Sequence, residues 1–243
     1  LDEAPGKLVV IGGGPLGLEF AQVFARFGSQ VTVLEALPQI VPKAEPEIAA
    51  VLQEALEAEG ITVRTGMRIE RGQPGPPKTV VCGPQASDCF EADAILVATG
   101  IRANTEELGL ENASGRVTRT GFIETTNWYE AGHGLWAAGD VTGRMPLETV
   151  AAKEGALAAA NALDGRRDSL NYDAVPWAVF TSPQLAGVGL TEAESMARAG
   201  YCNCRTVYYS QVPKAMAVKD TGGAVKLTID RENRGRGADA CGP

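Results

Sequence analysis

The stretch KLVVIGGGPLGLEFAQVFARFGSQVTVLEA, residues 7–36, decides the fold. Its apolar start, Lys7–Ile11, predicts a short strand of the kind that is buried on both faces of a parallel sheet. Apolar residues then recur at helical spacing until Gly28, and residues 30–34 resume a strand pattern. The stretch therefore predicts a strand, a helix and a second strand joined as a βαβ unit.

Three glycines join the first strand to the helix. Gly12, Gly14 and Gly17 fit the spacing Gly-x-Gly-x-x-Gly. The first glycine permits a tight turn, the second lets the backbone approach a pyrophosphate, and the third lets helix and strand pack closely. The free N–H groups at the start of the helix would face the phosphates. Because the motif lies between a strand and a helix, it predicts a dinucleotide-binding site.

Glu35 ends the second strand, where such sites accept the ribose hydroxyls of the nucleotide. A 2'-phosphate at this place would meet a carboxylate instead of an arginine, and Lys43 is the only basic residue among the next ten. Glu35 therefore favours NADH over NADPH.

The sequence continues with elements that complete one domain. We predict a helix over 46–59, a strand over 61–65, and two antiparallel strands joined by a Pro/Gly turn within 67–83. A buried strand then ends at Gly100, a further candidate for the cofactor site. Residues 1–105 are predicted to form an α/β, Rossmann-like NAD(P)-binding domain with a β-meander.

Composition limits the kinds of partner. The 243 residues are 44% hydrophobic, enough for substantial cores, and the net charge is -8 without a basic cluster. We therefore expect no nucleic-acid partner and no membrane association, and a cytoplasmic location. The first residue is Leu1, so we expect a part of a longer protein.

A second glycine-rich stretch, LWAAGDVTG at 135–143, lies beyond that first domain and predicts a short strand, Leu135–Ala138, that stops before Asp140. It is followed by an alanine-rich helix, PLETVAAKEGALAAANAL. Together with the βαβ unit and the stretch ILVATG, this order resembles the pyridine nucleotide-disulfide oxidoreductases, a flavoprotein family that binds two dinucleotides. The resemblance implies that 106–172 is the C-terminal part of an FAD-binding domain.

The resemblance also implies cofactor contacts. Asp140, after Gly139, would bind the ribityl chain of FAD, whereas the alternative from the residues alone is an acid that caps the next helix. The backbone N–H groups of Leu147, Glu148 and Thr149 would reach the flavin ring. Glu19 would lie beside the nicotinamide carboxamide; an ordinary solvated helix acid is an equally good interpretation. FAD and either NADPH or NADH are thus the expected cofactors.

The segment 173–230 resembles the start of the family's α+β interface domain, which forms a homodimer in full-length members. Within the family, 179–194 and 204–227 are most similar to mercuric reductases, which reduce Hg(II) to Hg(0), and next to dihydrolipoamide dehydrogenases, which act on disulfides. A non-catalytic nucleotide-binding module is the third interpretation. The resemblance therefore implies an FAD-dependent NAD(P)H oxidoreductase with Hg(II) as the expected substrate.

Some features of full-length members do not occur in this sequence. Members carry a Cys-x4-Cys redox pair beside the flavin, and they end with a vicinal Cys pair or a His-Glu pair; none of these is present. We therefore expect no catalytic residue in this chain, a truncated interface domain, and a disordered tail over 231–243, which lacks large apolar side chains. Cys202 and Cys204 would face one side of a strand; packing is favoured over a soft-metal site.

Overall fold

A computed structural model of the chain describes residues 3–75, 78–85 and 88–242. It is an α/β protein made of two compact units, Leu1–Gly100 with Pro176–Pro243, and Ile101–Val175. Among the described residues, no helix has both the length and the apolar content needed to cross a membrane.

The strands and helices are named in chain order. The strands are β1 (Lys7–Ile11), β2 (Gln30–Leu34), β3 (Thr62–Arg64), β4 (Arg71–Gln73), β5 (Thr79–Cys82), β6 (Cys89–Ala92), β7 (Ala94–Val97), β8 (Glu130–Gly132), β9 (Leu135–Trp136), β10 (Trp177–Val179), β11 (Gln184–Gly189), β12 (Asn203–Tyr208), β13 (Ala224–Ile229) and β14 (Gly235–Gly242). The helices are α1 (Pro15–Arg26), α2 (Pro46–Ala58), α3 (Glu148–Asp164), α4 (Glu192–Ala199) and α5 (Pro213–Val218).

The predicted βαβ unit is confirmed. β1 pairs in parallel with both β2 and β7, and β3 extends the sheet in the order β3-β2-β1-β7. α1 and α2 bury apolar faces in one core with this sheet, including Leu18 of α1 and Leu52 and Leu56 of α2. The carboxyl ends of the parallel strands therefore meet at one edge, where the glycine turn lies.

The predicted meander is also present, as the antiparallel sheet β4-β5-β6. Its predicted Pro/Gly turn includes residues 76 and 77, which lie outside the described residues. Cys82 and Cys89 are paired across β5 and β6 as a disulfide.

A five-stranded antiparallel sheet, β10-β11-β14-β13-β12, corrects the expectation for the tail. Residues 235–242, predicted to be disordered, form β14, which pairs with β11 on one side and β13 on the other. Small residues are needed here, since a side chain at Gly237 would collide with the Leu190 backbone. This central strand is held by two ladders of backbone hydrogen bonds and not by large apolar side chains, so the apolar pattern of the sequence did not predict it.

The unit Ile101–Val175 contains the hairpin of β8 and β9 and the helix α3. The predicted strand over Leu135–Ala138 is shorter in the structure, Leu135–Trp136. α3 buries a stripe of small and polar residues, Val150, Glu154, Ala158 and Asn161.

Candidate nucleotide-binding site

Two of the three motif glycines are required by packing. Gly12 has φ 112°, and a side chain there would collide with the Ala98 carbonyl after β7. A side chain at Gly17 would collide with the carbonyl oxygen of Gly12. Helix α1 thus approaches β1 so closely that only hydrogen fits at both places.

Gly14 has a different environment. It is the N-cap residue of α1, with φ -79° and ψ 177°, and Pro15 begins the helix. A Cβ atom at Gly14 would meet no protein atom within 4 Å. The space in front of the helix N-terminus is therefore open, and the first-turn N–H groups face it without helical acceptors.

Glu35 closes one side of the glycine turn. The side chain is 8% exposed. One carboxylate oxygen, Oε2, accepts from the N–H of Gly13 at 2.6 Å, and Oε1 accepts from the N–H of Leu37 at 2.7 Å. Each carboxylate oxygen has a second lone pair, so the group retains acceptor capacity after these two bonds. The site thus presents fixed negative charge beside the N-terminus of α1.

Glu19 has a contact that the sequence did not predict. Its Oε1 accepts from the N–H of Phe180, just after β10, at 2.9 Å. Nearby on the same helix, Gln22 donates to the carbonyl oxygen of Ser182 and accepts from the Ser182 N–H, at 2.7 and 2.8 Å. Glu19 therefore joins α1 to the five-stranded sheet instead of being an ordinary solvated acid. Gly100 lies exposed after β7 with φ 110°.

The predicted flavin contacts lie in the unit Ile101–Val175. Asp140 is exposed and follows Gly139, whose φ is 80°. Helix α3 has Leu147 as its N-cap residue and no side-chain cap, so Asp140 does not cap it. The N–H of Leu147 donates to the Met145 carbonyl at 2.8 Å. Glu148 and Thr149 are exposed in the first turn of α3, where N–H groups lack helical acceptors.

Glu154 is the residue in this unit that the sequence interpretation missed. It is fully buried, and its Oε2 accepts from the Gly139 N–H at 2.6 Å. Its Oε1 accepts from the hydroxyl of Tyr172. The guanidinium of Arg144 lies 5.4 Å from the centre of the Tyr129 ring and 5.7 Å from that of Tyr172. The Gly139–Asp140 turn is thus held by a buried carboxylate.

The environment of Tyr172 also reflects this network. Burial, together with hydrogen bonds to Glu154 and Tyr129, raises the pKa of the Tyr172 hydroxyl well above its usual value. The hydroxyl therefore stays protonated and keeps donating to Glu154 throughout the physiological range. The spacing 150, 154, 158 and 161 was the available sequence signal, because it places Glu154 on the buried stripe of α3.

Replacing Glu154 with leucine should destabilise the unit Ile101–Val175 by about 2 to 5 kcal/mol, because it leaves the buried Gly139 N–H without an acceptor and removes the hydrogen bond that the partly buried Tyr172 hydroxyl donates to a carboxylate. Hydrogen exchange of the α3 amides measures the change. Lys153→Leu is the matched control, since Lys153 is the exposed neighbour of Glu154 on the same helix. Equal protection in the two variants would contradict this role of Glu154.

Known protein families cover both parts of the chain. The family model described as pyridine nucleotide-disulphide oxidoreductase matches residues 1–155. The model described as the dimerisation domain of pyridine nucleotide-disulphide oxidoreductases matches residues 175–243.

Two curated proteins are equally similar to the chain. The mercuric reductase of Streptomyces lividans is 40% identical over 235 residues, which cover 95% of this chain and 49% of that protein. The dihydrolipoyl dehydrogenase of Thermus scotoductus is 40% identical over 234 residues, which cover 94% of this chain and 50% of that protein. The chain therefore spans about half the length of the curated relatives it matches.

Solved structures show the same fold. The HOCl-induced flavoprotein disulfide reductase RclA from Escherichia coli superposes with a TM-score of 0.85 and 30% sequence identity. The match covers 100% of this chain and 56% of that one. The predicted α/β architecture is therefore confirmed by comparison as well as by its own sheets.

Proposed function

Because the chain belongs to the pyridine nucleotide-disulphide oxidoreductase family, we propose that it is the nucleotide-binding and interface portion of an FAD-dependent NAD(P)H oxidoreductase. Members of the family use FAD and NAD(P)H. The proposed nicotinamide nucleotide is NADH, bound at the glycine turn before α1. Glu35 is the observation that carries this proposal, because its buried carboxylate lies against Gly13 with acceptor capacity remaining.

The residues of the turn fit such a nucleotide. The open space at Gly14 would admit the pyrophosphate, and the N–H groups at the start of α1 would donate to its oxygens. Glu35 would accept from a ribose hydroxyl and would repel a 2'-phosphate. Glu19 already holds Phe180 and would need to keep or exchange that contact when the nicotinamide binds.

The residues of the second unit fit part of a flavin site. The exposed carboxylate of Asp140 would accept from hydroxyls of the ribityl chain, and Glu154 would hold its backbone in place through Gly139. The first-turn N–H groups of Glu148 and Thr149 would donate to the flavin ring. The N–H of Leu147 would first have to leave the Met145 carbonyl. Bound FAD would supply the acceptor for electrons from the nicotinamide.

For the final electron acceptor of the whole protein we propose Hg(II), because residues 179–194 and 204–227 most resemble mercuric reductases. A disulfide substrate is the alternative, since a mercuric reductase and a dihydrolipoyl dehydrogenase each match the chain at 40% identity. We also propose a homodimer formed through residues 175–243, which match the family's dimerisation domain. The experiment uses the whole protein, since this chain lacks the Cys-x4-Cys redox pair. Comparing its NADH oxidation driven by Hg(II) with that driven by an oxidised dithiol substrate separates the two chemistries.

The nucleotide proposal predicts that the chain binds NADH about tenfold more tightly than NADPH, a difference of about 1.4 kcal/mol. Isothermal titration calorimetry with each nucleotide measures both affinities. Glu35→Gln should narrow the difference because it removes the negative charge and leaves the size of the side chain nearly unchanged.

Gly14→Ala is the control for the position of the site. Its Cβ would meet no protein atom, so the fold should persist, but it would fill the space assigned to the pyrophosphate and weaken NADH binding by about tenfold or more. Tighter binding of NADPH by the unaltered chain would show that the argument from Glu35 is wrong. Unchanged NADH binding by Gly14→Ala would show that NADH binds at a different place.

A further inference from the structure

Two cysteines and one carboxylate converge beside the five-stranded sheet. Cys202 precedes β12, Cys204 lies within it, and Glu192 is the first residue of α4. The two sulfur atoms and a carboxylate oxygen of Glu192 all lie within 4.8 Å of one another. All three residues are partly buried. The spacing is that of groups able to contact the same small ion.

The backbone fixes the two cysteines relative to each other. The structure pairs them as a disulfide, with Cα atoms 5.6 Å apart. Cys204 is also anchored in the ladder opposite Thr228 of β13. Because the two residues are separated by one position at the start of a strand, their side chains share a face, and the reduced thiols stay within reach of one ion.

Glu192 is held in place by the start of its helix. Thr191 caps α4: its hydroxyl accepts from the Glu194 N–H at 3.2 Å, and Glu194 accepts from the Thr191 N–H at 2.9 Å. One carboxylate oxygen of Glu192, Oε2, lies 2.7 Å from the ammonium of Lys226. Each carboxylate oxygen has two lone pairs, so this ion pair leaves Glu192 acceptor capacity for a metal ion.

The local charge favours a cation in spite of Lys226. The Lys226 ammonium also meets Glu45 at 3.1 Å and Glu47 at 3.0 Å, so three carboxylates surround one positive charge. The group keeps a net negative charge beside the two cysteines. A divalent cation would therefore be attracted to the site, and thiolates would select one that prefers sulfur.

We propose that reduced Cys202 and Cys204, together with Glu192, bind a thiophilic divalent cation of the zinc class. Two thiolates and one carboxylate oxygen supply three ligands, and water can supply the fourth of a tetrahedral site. The two thiols release their protons when the metal binds, and a disulfide between them prevents binding. This site is independent of the nucleotide site and of the proposed electron transfer.

The chain contains a matched control in its other cysteine pair. Cys82 and Cys89 are also paired, across β5 and β6. Within the part of the chain that the structure describes, Glu192, Cys202 and Cys204 are the set of three potential ligands that converge, and Cys82 with Cys89 lacks a third. The proposal therefore predicts that only the first pair forms a tight site.

The test uses the 243-residue chain, kept reduced by a phosphine that does not bind metal, and titrated with Zn²⁺ or Cd²⁺. We expect one tightly bound ion per chain and thiolate-to-Cd²⁺ absorption. Cys202→Ser and Cys204→Ser should each abolish tight binding. Glu192→Gln should weaken metal binding by at least about tenfold, because removing a direct ligand should cost no less than removing an outer-shell partner does. The double variant Cys82→Ser, Cys89→Ser should bind like the unaltered chain.

A second measurement needs no substitution. Bound Zn²⁺ should protect Cys202 and Cys204 from alkylation, as read by mass spectrometry of their peptides. Equal alkylation with and without Zn²⁺ would overturn the proposal, as would loss of the tight site in the Cys82, Cys89 double variant. Unchanged metal binding by Glu192→Gln would show that the Glu192 carboxylate is not a ligand.

Discussion

Replacing Lys226 with methionine should destabilise the unit Leu1–Gly100 with Pro176–Pro243 by about 3 to 5 kcal/mol, the usual effect of removing one partner from a buried ion pair. Lys226 is 4% exposed, and Glu45 beside it is 3% exposed. Without the ammonium, the Glu45 carboxylate stays buried without its counter-charge. Asp239, also buried and accepting from the Glu45 N–H at 2.6 Å, lies in the same cluster.

The pKa directions agree with this expectation. Burial alone would lower the pKa of Lys226, but hydrogen bonds to Glu192, Glu47 and Glu45 raise it above the usual lysine value. A raised pKa means that the stabilisation is fully present at neutral pH and is lost only as the pH rises through that value. Burial also raises the pKa of Asp239 to about 6, and Lys226 opposes that rise.

Hydrogen exchange of the β13 and β14 amides measures the effect of Lys226→Met. Arg26→Met is the control, because it also removes a cation from an ion pair, with Glu59, but at an exposed position. The control should change little, since exposed pairs contribute little to stability. Similar protection in the two variants would mean that the buried cluster contributes no more than a surface pair.

Gly17→Ala should destabilise the same unit by about 3 kcal/mol or more, although alanine is the better helix former. The added Cβ would collide with the carbonyl oxygen of Gly12 and would lie 3.3 Å from Val10 Cγ1. A backbone atom cannot rotate away as a side chain can, so α1 would have to move from β1. The melting temperature and NADH binding should fall together.

The comparison with Gly14→Ala separates packing from binding. Both variants add one methyl group to the same motif, yet only Gly17 is enclosed by protein atoms. Gly14→Ala should therefore melt like the unaltered chain while losing nucleotide affinity. A normal melting temperature for Gly17→Ala would show that the close approach of α1 and β1 is not required.

Features set by neighbours in sequence could be predicted. The helices α1 and α2 and the strands β1 and β2 depend on residues close together in the chain, and all were confirmed. The apolar residues whose spacing predicted α1 lie mostly at the surface, and the helix packs through Leu18 and Ala21 instead. The environment of Glu35 was partly predictable, because its place after β2 brings it to the edge where the glycine turn lies. Its hydrogen bonds to Gly13 and Leu37 needed the structure.

Features set by distant partners could not be predicted. The ammonium of Lys226 meets Glu45, which is 181 positions away, and no local pattern connects the two. Strand β14 was missed because its stability comes from pairing on both sides and not from large apolar residues. Glu19 was assigned to the nicotinamide or to solvent, and its contact with Phe180 spans 161 positions.

The central place of β14 also affects how the chain can fold as it is synthesised. The hairpins β10-β11 and β12-β13 are joined in the sheet only through β14, which comes after both. At about 5 to 20 residues per second, a ribosome adds the segment from β10 to β14 in several seconds. During that time β11 and β13 each have an unpaired edge, the kind that pairs with other chains. Until β14 emerges, this part of the sheet is therefore open to pairing with other chains.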